Sequence, residues 1–326
     1  MYSKCISIFL TLGLLLLVKV NGYIVNEFTG QCKEVYDYLK SIDKRENFAG
    51  CGMNENEEIT RLNLYSYCLK DEELSTALNY TTIETLEFRK LFIDWNIDDS
   101  DDINIVFRFG CSRLPTNYEA LSHLTNLKEL DLRGVKNLNA NILASIPKSV
   151  EKLTIINLTF TQEIVDVLSN LTNLKTLLLS HVIISDELDY SNFEKLINLT
   201  DLEIVNEYFY EPTLTNNDVP GNMLKHCNNL KKLTISDGIF YQQNIDAFGN
   251  MSNLEVLELD GALFNNDFDF SSLDKLNNLT TLKINCVTYN YEYKHLTFNF
   301  STLAKLKTLN INRCLTSIRT KGNFEF

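Results

Sequence analysis

The sequence has almost no proline, little glycine and a single tryptophan: 4, 12 and 1 among 326 residues. So few turn formers leave no room for a long flexible or polyproline linker. Hydrophobic residues make up 44% and charged residues 22%, a balance that excludes a disordered chain. Beyond the N-terminus, no apolar run reaches the roughly 20 residues that cross a bilayer as a helix. Histidine is rare, and His123, His181, His226 and His295 are scattered along the chain. No H-E-x-x-H, C-x-x-C, G-x-S-x-G or glycine-rich phosphate loop occurs. The sequence therefore marks no catalytic residue, no metal site and no cofactor. Basic side chains are also short, 30 against 43 acids, for a net charge of −13. So acidic a surface repels nucleic acid and anionic membranes.

What the chain does have begins with "MYSKCISIFLTLGLLLLVKVNG". Lys4 precedes an apolar run from Ile6 to Val18, and Val20-x-Gly22 offers small residues for cleavage. Residues 1–22 read as a secretory signal peptide, so the protein is expected to be secreted and extracellular. Loss of Lys4 and Lys19 with that segment makes the remainder still more acidic. N-x-S/T triplets stand at Asn79, Asn157, Asn170, Asn198, Asn250, Asn278 and Asn299. About five would arise by chance in so Asn- and Thr-rich a chain. They follow from secretion as glycan acceptors and do not argue for it. Asn198 and Asn278 sit directly before strands, where capping the backbone competes with glycosylation.

The organisation lies in a period. "SNLTNLKTLLLS" (169–180) starts with helical leucine spacing and ends with the alternation of a strand. The tract L-x-x-L-x-L recurs from Ile59, Ile83, Leu127, Val150, Leu174, Leu199, Leu230, Leu254, Leu279 and Leu306. Fourth and sixth positions alternate inward as a short strand requires. Upstream of each tract the spacing is helical, as for Ile164, Val165, Leu168 and Leu171. The 44 residues from Ile83 to Leu127 have room for one more copy, and "INIVFRFGC" (103–111) alternates there. The expectation is about eleven repeats, one of them degraded.

This pattern resembles the leucine-rich repeat family over about four fifths of the chain. The resemblance implies an α/β solenoid: a horseshoe with a parallel concave sheet and a helical convex side. A parallel β-helix would need several strand-like runs per coil, and each coil here shows one. Domains are expected at 1–22 (signal), 23–58 (N-terminal cap), 59–314 (repeats) and 315–326 (tail). The array departs from the family at the ninth position, often asparagine, which holds Val135, Leu158, Val182, Ala262, Val287 and Cys314. These should point into the core. Of the plant L-x-G-x-I-P signature only Leu114-Pro115 and Ile146-Pro147 remain.

Cys32 and Cys51 flank an amphipathic helix and loop before the first repeat, and the resemblance implies a disulfide-closed cap there. Cys286 and Cys314, at the eighth and ninth positions of the last two repeats, lie within bridging distance. A buried free thiol is an equal reading for Cys314. Cys68 and Cys111 are too far apart unless a loop reaches across, and Cys227 occupies a core position as a buried thiol. The acidic run "DWNIDDSDDIN" reads as a solvated loop, since it lacks the glycine and glutamate of a calcium loop.

Solenoids bind with the concave sheet and its adjoining loops. There the fifth and seventh positions give Thr154, Ile156, Leu178 and Val205 as a mildly apolar patch flanked by acids. That is either a binding surface or ordinary β-forming residues. Two longer intervals carry Tyr208, Tyr210, Tyr289, Tyr291 and Tyr293, an aromatic rim if exposed and loop packing if buried. The expected function is non-catalytic recognition of a protein or glycan partner. The alternatives are a matrix or surface component without a discrete ligand, and a polysaccharide-active enzyme.

Overall fold

Each coil answers one constraint: the apolar residues at the first, fourth and sixth positions must leave water together. Leu174, Leu177 and Leu179 are 0%, 1% and 0% exposed. The same positions are buried in Ile59, Leu62 and Leu64, and again in Leu254, Leu257 and Leu259. Each such side chain stabilises the fold by about 1.5–3 kcal/mol. The pleat then turns positions three, five and seven to the opposite face.

A computed structural model describes residues 28–89, 114–206, 218–264, 269–286 and 302–314 with side chains, and four further strands by backbone alone. The strands begin with β1 (Leu17–Val20), β2 (Tyr23–Asn26), β3 (Phe48–Met53), β4 (Ile59–Leu64), β5 (Thr85–Phe88) and β6 (Glu129–Asp131). There follow β7 (Lys152–Ile156), β8 (Thr176–Ser180), β9 (Asp201–Val205), β10 (Lys232–Ser236) and β11 (Ile239–Phe240). The last are β12 (Val256–Phe264), β13 (Thr281–Cys286), β14 (Leu296–Asn299), β15 (Thr308–Asn312) and β16 (Thr316–Arg319). One 12-stranded sheet runs β15-β13-β12-β10-β9-β8-β7-β6-β5-β4-β3, with β11 beside β12. Neighbours are parallel along the array, while β3 closes one end antiparallel to β4. The pairs β1–β2 and β14–β16 are separate two-stranded sheets.

The extra coil expected between Ile83 and Leu127 is not threaded into the sheet. Thr85, Leu86 and Glu87 pair directly with Glu129, Leu130 and Asp131, which leaves no place for a strand between β5 and β6. The eleventh strand on the path is instead β3, which precedes the first repeat. The run 103–111 lies outside the described residues, as does the acidic run beginning at Asp94.

On the convex side, α-helices such as Ala140–Ala144, Gln162–Leu168 and Gln242–Gly249 alternate with 3-10 turns such as Glu119–His123, Ser191–Lys195 and Phe270–Lys275. Capping decides where they start. The Thr161 side chain accepts from the Ile164 N–H and Asn139 from the Ile142 N–H, satisfying donors that a helix start leaves open. Ile164, Val165 and Leu168 are buried, as their spacing predicts.

Two ladders stitch coil to coil. The asparagine missing at the ninth position reappears directly before the first-position leucine. Nδ2 of Asn126, Asn173, Asn198 and Asn278 donates to the carbonyl of Thr81, Lys148, Thr172 and Ser252 in the preceding coil, each at 2.9 Å. At the eighth position the chain leaves the strand in left-handed conformation, with φ of 55°, 52°, 57°, 63° and 57° at Asn157, His181, Asp237, Gly261 and Arg313. Asparagine, aspartate and glycine tolerate that region best. The N–H groups of Asn157, His181 and Asp237 donate to the next coil at 2.8–3.0 Å. Val135, Leu158, Val182 and Ala262 then turn inward and are buried.

The segment before the first coil packs against it, with β3 antiparallel to β4. Helix Gly30–Ser41 buries Cys32, Val35 and Leu39, and its Tyr36 clusters with Phe28 and Phe48, with Phe48 edge to face against both. Replacing Leu257 with Ala should cost about 2–5 kcal/mol, because a fully covered side chain leaves a cavity. Asn173→Ala should cost about 1 kcal/mol, one hydrogen bond. Urea denaturation of the two variants measures both, and a reversed order would disprove the division of labour between core and ladder.

Candidate binding surface

The concave face is a grid whose rows the parallel register fixes. In the fifth column Asn63, Glu87, Asp131, Thr154 and Leu178 stand side by side. Glu203, Thr234, Glu258, Lys283 and Asn310 continue the same row. In the seventh column Ile156, Ser180, Val205 and Ser236 are neighbours in turn. The order read from the sequence is thus the order in space.

Thr154, Ile156, Leu178 and Val205 are brought together on β7, β8 and β9. Their exposure differs from the sequence reading, which has all four facing solvent. Thr154 and Ile156 are only 6% and 9% exposed, while Leu178 and Val205 are half-buried. A residue in mid-sheet is flanked by strands about 4.8 Å away on both sides, so neighbouring side chains cover much of it. Solvent reaches the patch chiefly at Leu178 and Val205.

Charges on this face are mostly neutralised within the chain. Glu87 meets Arg89 at 3.2 Å, Asp131 meets Arg133 at 2.6 Å and Glu258 meets Lys283 at 2.7 Å. At the sheet's lip, Glu84–Lys128 and Glu151–Lys175 bridge successive coils at 3.3 and 2.7 Å. Glu258–Lys283, Glu84–Lys128 and Glu151–Lys175 join residues more than 20 apart in sequence, whereas Glu87–Arg89 and Asp131–Arg133 lie two apart on one strand.

Tyr208, Tyr210, Tyr289, Tyr291 and Tyr293 lie outside the described residues. The strands that lead to them, β9 and β13, end on the same edge of the sheet and are three strand steps apart, about 15 Å at the sheet spacing. Of the glycan acceptors, Asn79, Asn157, Asn170, Asn198 and Asn250 are exposed. Asn198 and Asn278 have their amide nitrogens engaged in the asparagine ladder, and Asn278 Oδ1 also accepts from Lys305 at 2.7 Å. The Asn299 side chain is outside the described residues.

Chemistry is sparse. Ser180 Oγ lies 2.7 Å from His181 Nδ1, and His226 Nδ1 lies 3.0 Å from Glu194. Among the described residues no three His, Cys, Asp or Glu side chains are grouped to hold a metal ion.

Neither a protein-family model nor a curated protein matches the sequence. Solved structures do match. Toll of Drosophila, in its complex with Spatzle, aligns with a TM-score of 0.50 at 15% identity, over 90% of this chain and 37% of that one. An internalin of Listeria monocytogenes gives 0.47 at 16%, over 86% and 77%. A leucine-rich repeat protein of Leptospira interrogans gives 0.43 at 16%, over 83% and 54%.

The chain has the leucine-rich repeat fold.

In this leucine-rich repeat array two disulfides sit towards the ends. Cys32 is bridged to Cys51 with Cα atoms 5.9 Å apart. Cys286 is bridged to Cys314 at 5.2 Å, which decides between the two readings of Cys314. Cys68 is also disulfide-bonded, to a partner outside the described residues. Cys227 is free and buried, and burial alone pushes its thiol up to about 12. At pH 8 it stays protonated and shielded, so thiol reagents should modify Cys227 only after denaturant is added. Labelling of the native protein at that residue would contradict the placement. Peptide mapping of protein secreted from a glycosylating host should find Asn157 and Asn250 carrying glycan and Asn198 and Asn278 bare.

Proposed function

We propose that this leucine-rich repeat chain is a secreted, glycosylated recognition protein that binds a protein partner through its concave sheet, without catalysis. The observation that carries the reading is the strip on β7–β9. There Ile156, Leu178 and Val205 interrupt a face on which Glu87, Asp131 and Glu258 are paired with cations of the same chain. An apolar patch rimmed by charge is where desolvation on binding costs least and gains most. The bridged cysteines fit an oxidising compartment. No helix among the described residues is long and apolar enough to cross a membrane. The strip is aliphatic, which suits a protein surface better than a glycan.

Binding of the secreted form on paired protein and glycan arrays tests this. Leu178→Asp places a charge in the strip at a half-exposed site. It should weaken protein binding at least about tenfold, roughly 1.4 kcal/mol, while leaving thermal stability nearly unchanged. Selection of glycan spots alone, or binding indifferent to Leu178→Asp, would overturn the proposal.

A further inference from the structure

We infer that Glu203, at the centre of the concave sheet, is a recognition carboxylate for a lysine or arginine side chain of the protein partner. The stem of that side chain lies along Leu178 and Val205. This rests on the concave-face reading above and narrows it to one chemistry.

Four carboxylates occupy the fifth column, and three of them are held by cations of the same chain: Glu87 by Arg89, Asp131 by Arg133 and Glu258 by Lys283. Glu203 has no hydrogen bond or ion pair among the described residues. Its neighbours across the sheet are Leu178 and Thr234. Along its own strand lie Asp201, already bonded to Thr200 Oγ1 at 2.6 Å, and Val205. No cation among the described residues pairs with Glu203. Lys232, the register partner of Asp201, is exposed and makes no ion pair with either acid. Lys283, three strands away, is taken by Glu258. Glu203 is also half-buried and bordered on one side by aliphatic surface, where water screens a charge less than at an open surface.

An ammonium or guanidinium placed over Glu203 makes a charge-assisted bond to the carboxylate. The methylene stem of such a side chain covers apolar surface while its head stays polar, which matches the carboxylate's position beside the strip. The net charge of −13 also favours encounter of the chain with a cationic partner.

The test uses the full secreted chain and a peptide array in which one central residue is Arg, Lys, citrulline or norleucine between aliphatic residues. Wild type should favour Arg and Lys over citrulline and norleucine at least about tenfold at low salt, and less as salt rises. Glu203→Gln should erase that preference without a change in melting temperature, and Leu178→Asp should weaken all peptides. Two results overturn the inference: a cation preference that survives Glu203→Gln, or none in the wild type. If neutral peptides bind and Leu178→Asp abolishes their binding, the concave reading stands while the cation site falls. Binding indifferent to both substitutions, or no peptide bound at all, overturns both.

Discussion

No coil of this protein can cover its own apolar row. The leucines at the fourth and sixth positions face the same way, and only the coils before and after shield their sides. Every other feature depends on that mutual burial. The strands must be parallel and in register, since a slip of one residue would turn the leucines out and the charges in. Polar links between coils are then required wherever the backbone turns away from the sheet, which is the task of the Asn126, Asn173, Asn198 and Asn278 amides.

The same geometry separates stability from recognition. Inward positions are fixed by packing, whereas the third, fifth and seventh positions tolerate Glu, Thr, Leu or Lys without disturbing the core. On this face the substitutions fall into two classes. Some residues neutralise each other, as Glu258 and Lys283 do. Others do not: Glu203 has no ion pair among the described residues, and Leu178 stands in the strip with Ile156 and Val205.

Much of this was legible in the sequence because two periods act together. Alternation along the strand set which side chains face inward, and the recurrence of the tract set which become neighbours, so Leu178 could be placed between Thr154 and Glu203 without coordinates. The 44-residue interval was misleading, because a length that fits a coil says nothing about whether its strand joins the ladder. The asparagine ladder was visible as the Asn-Leu that opens several tracts, yet its partners are carbonyls, which leave no mark in a sequence. Spacing alone could not choose the state of Cys314, since a bridge and a buried thiol need the same position.

A stack of coils is weakest at its ends, where a terminal coil has one neighbour instead of two. Here both ends are fastened covalently, by Cys32–Cys51 before the first coil and Cys286–Cys314 across the last two coils of the ladder. Fraying from the termini is thereby suppressed, and the frailest seam moves inward. It falls at β6, only three residues long (Glu129–Asp131), where the sheet passes directly from β5 to β7. A horseshoe built this way gives under load from within, like a chain locked at both clasps that parts at its thinnest link.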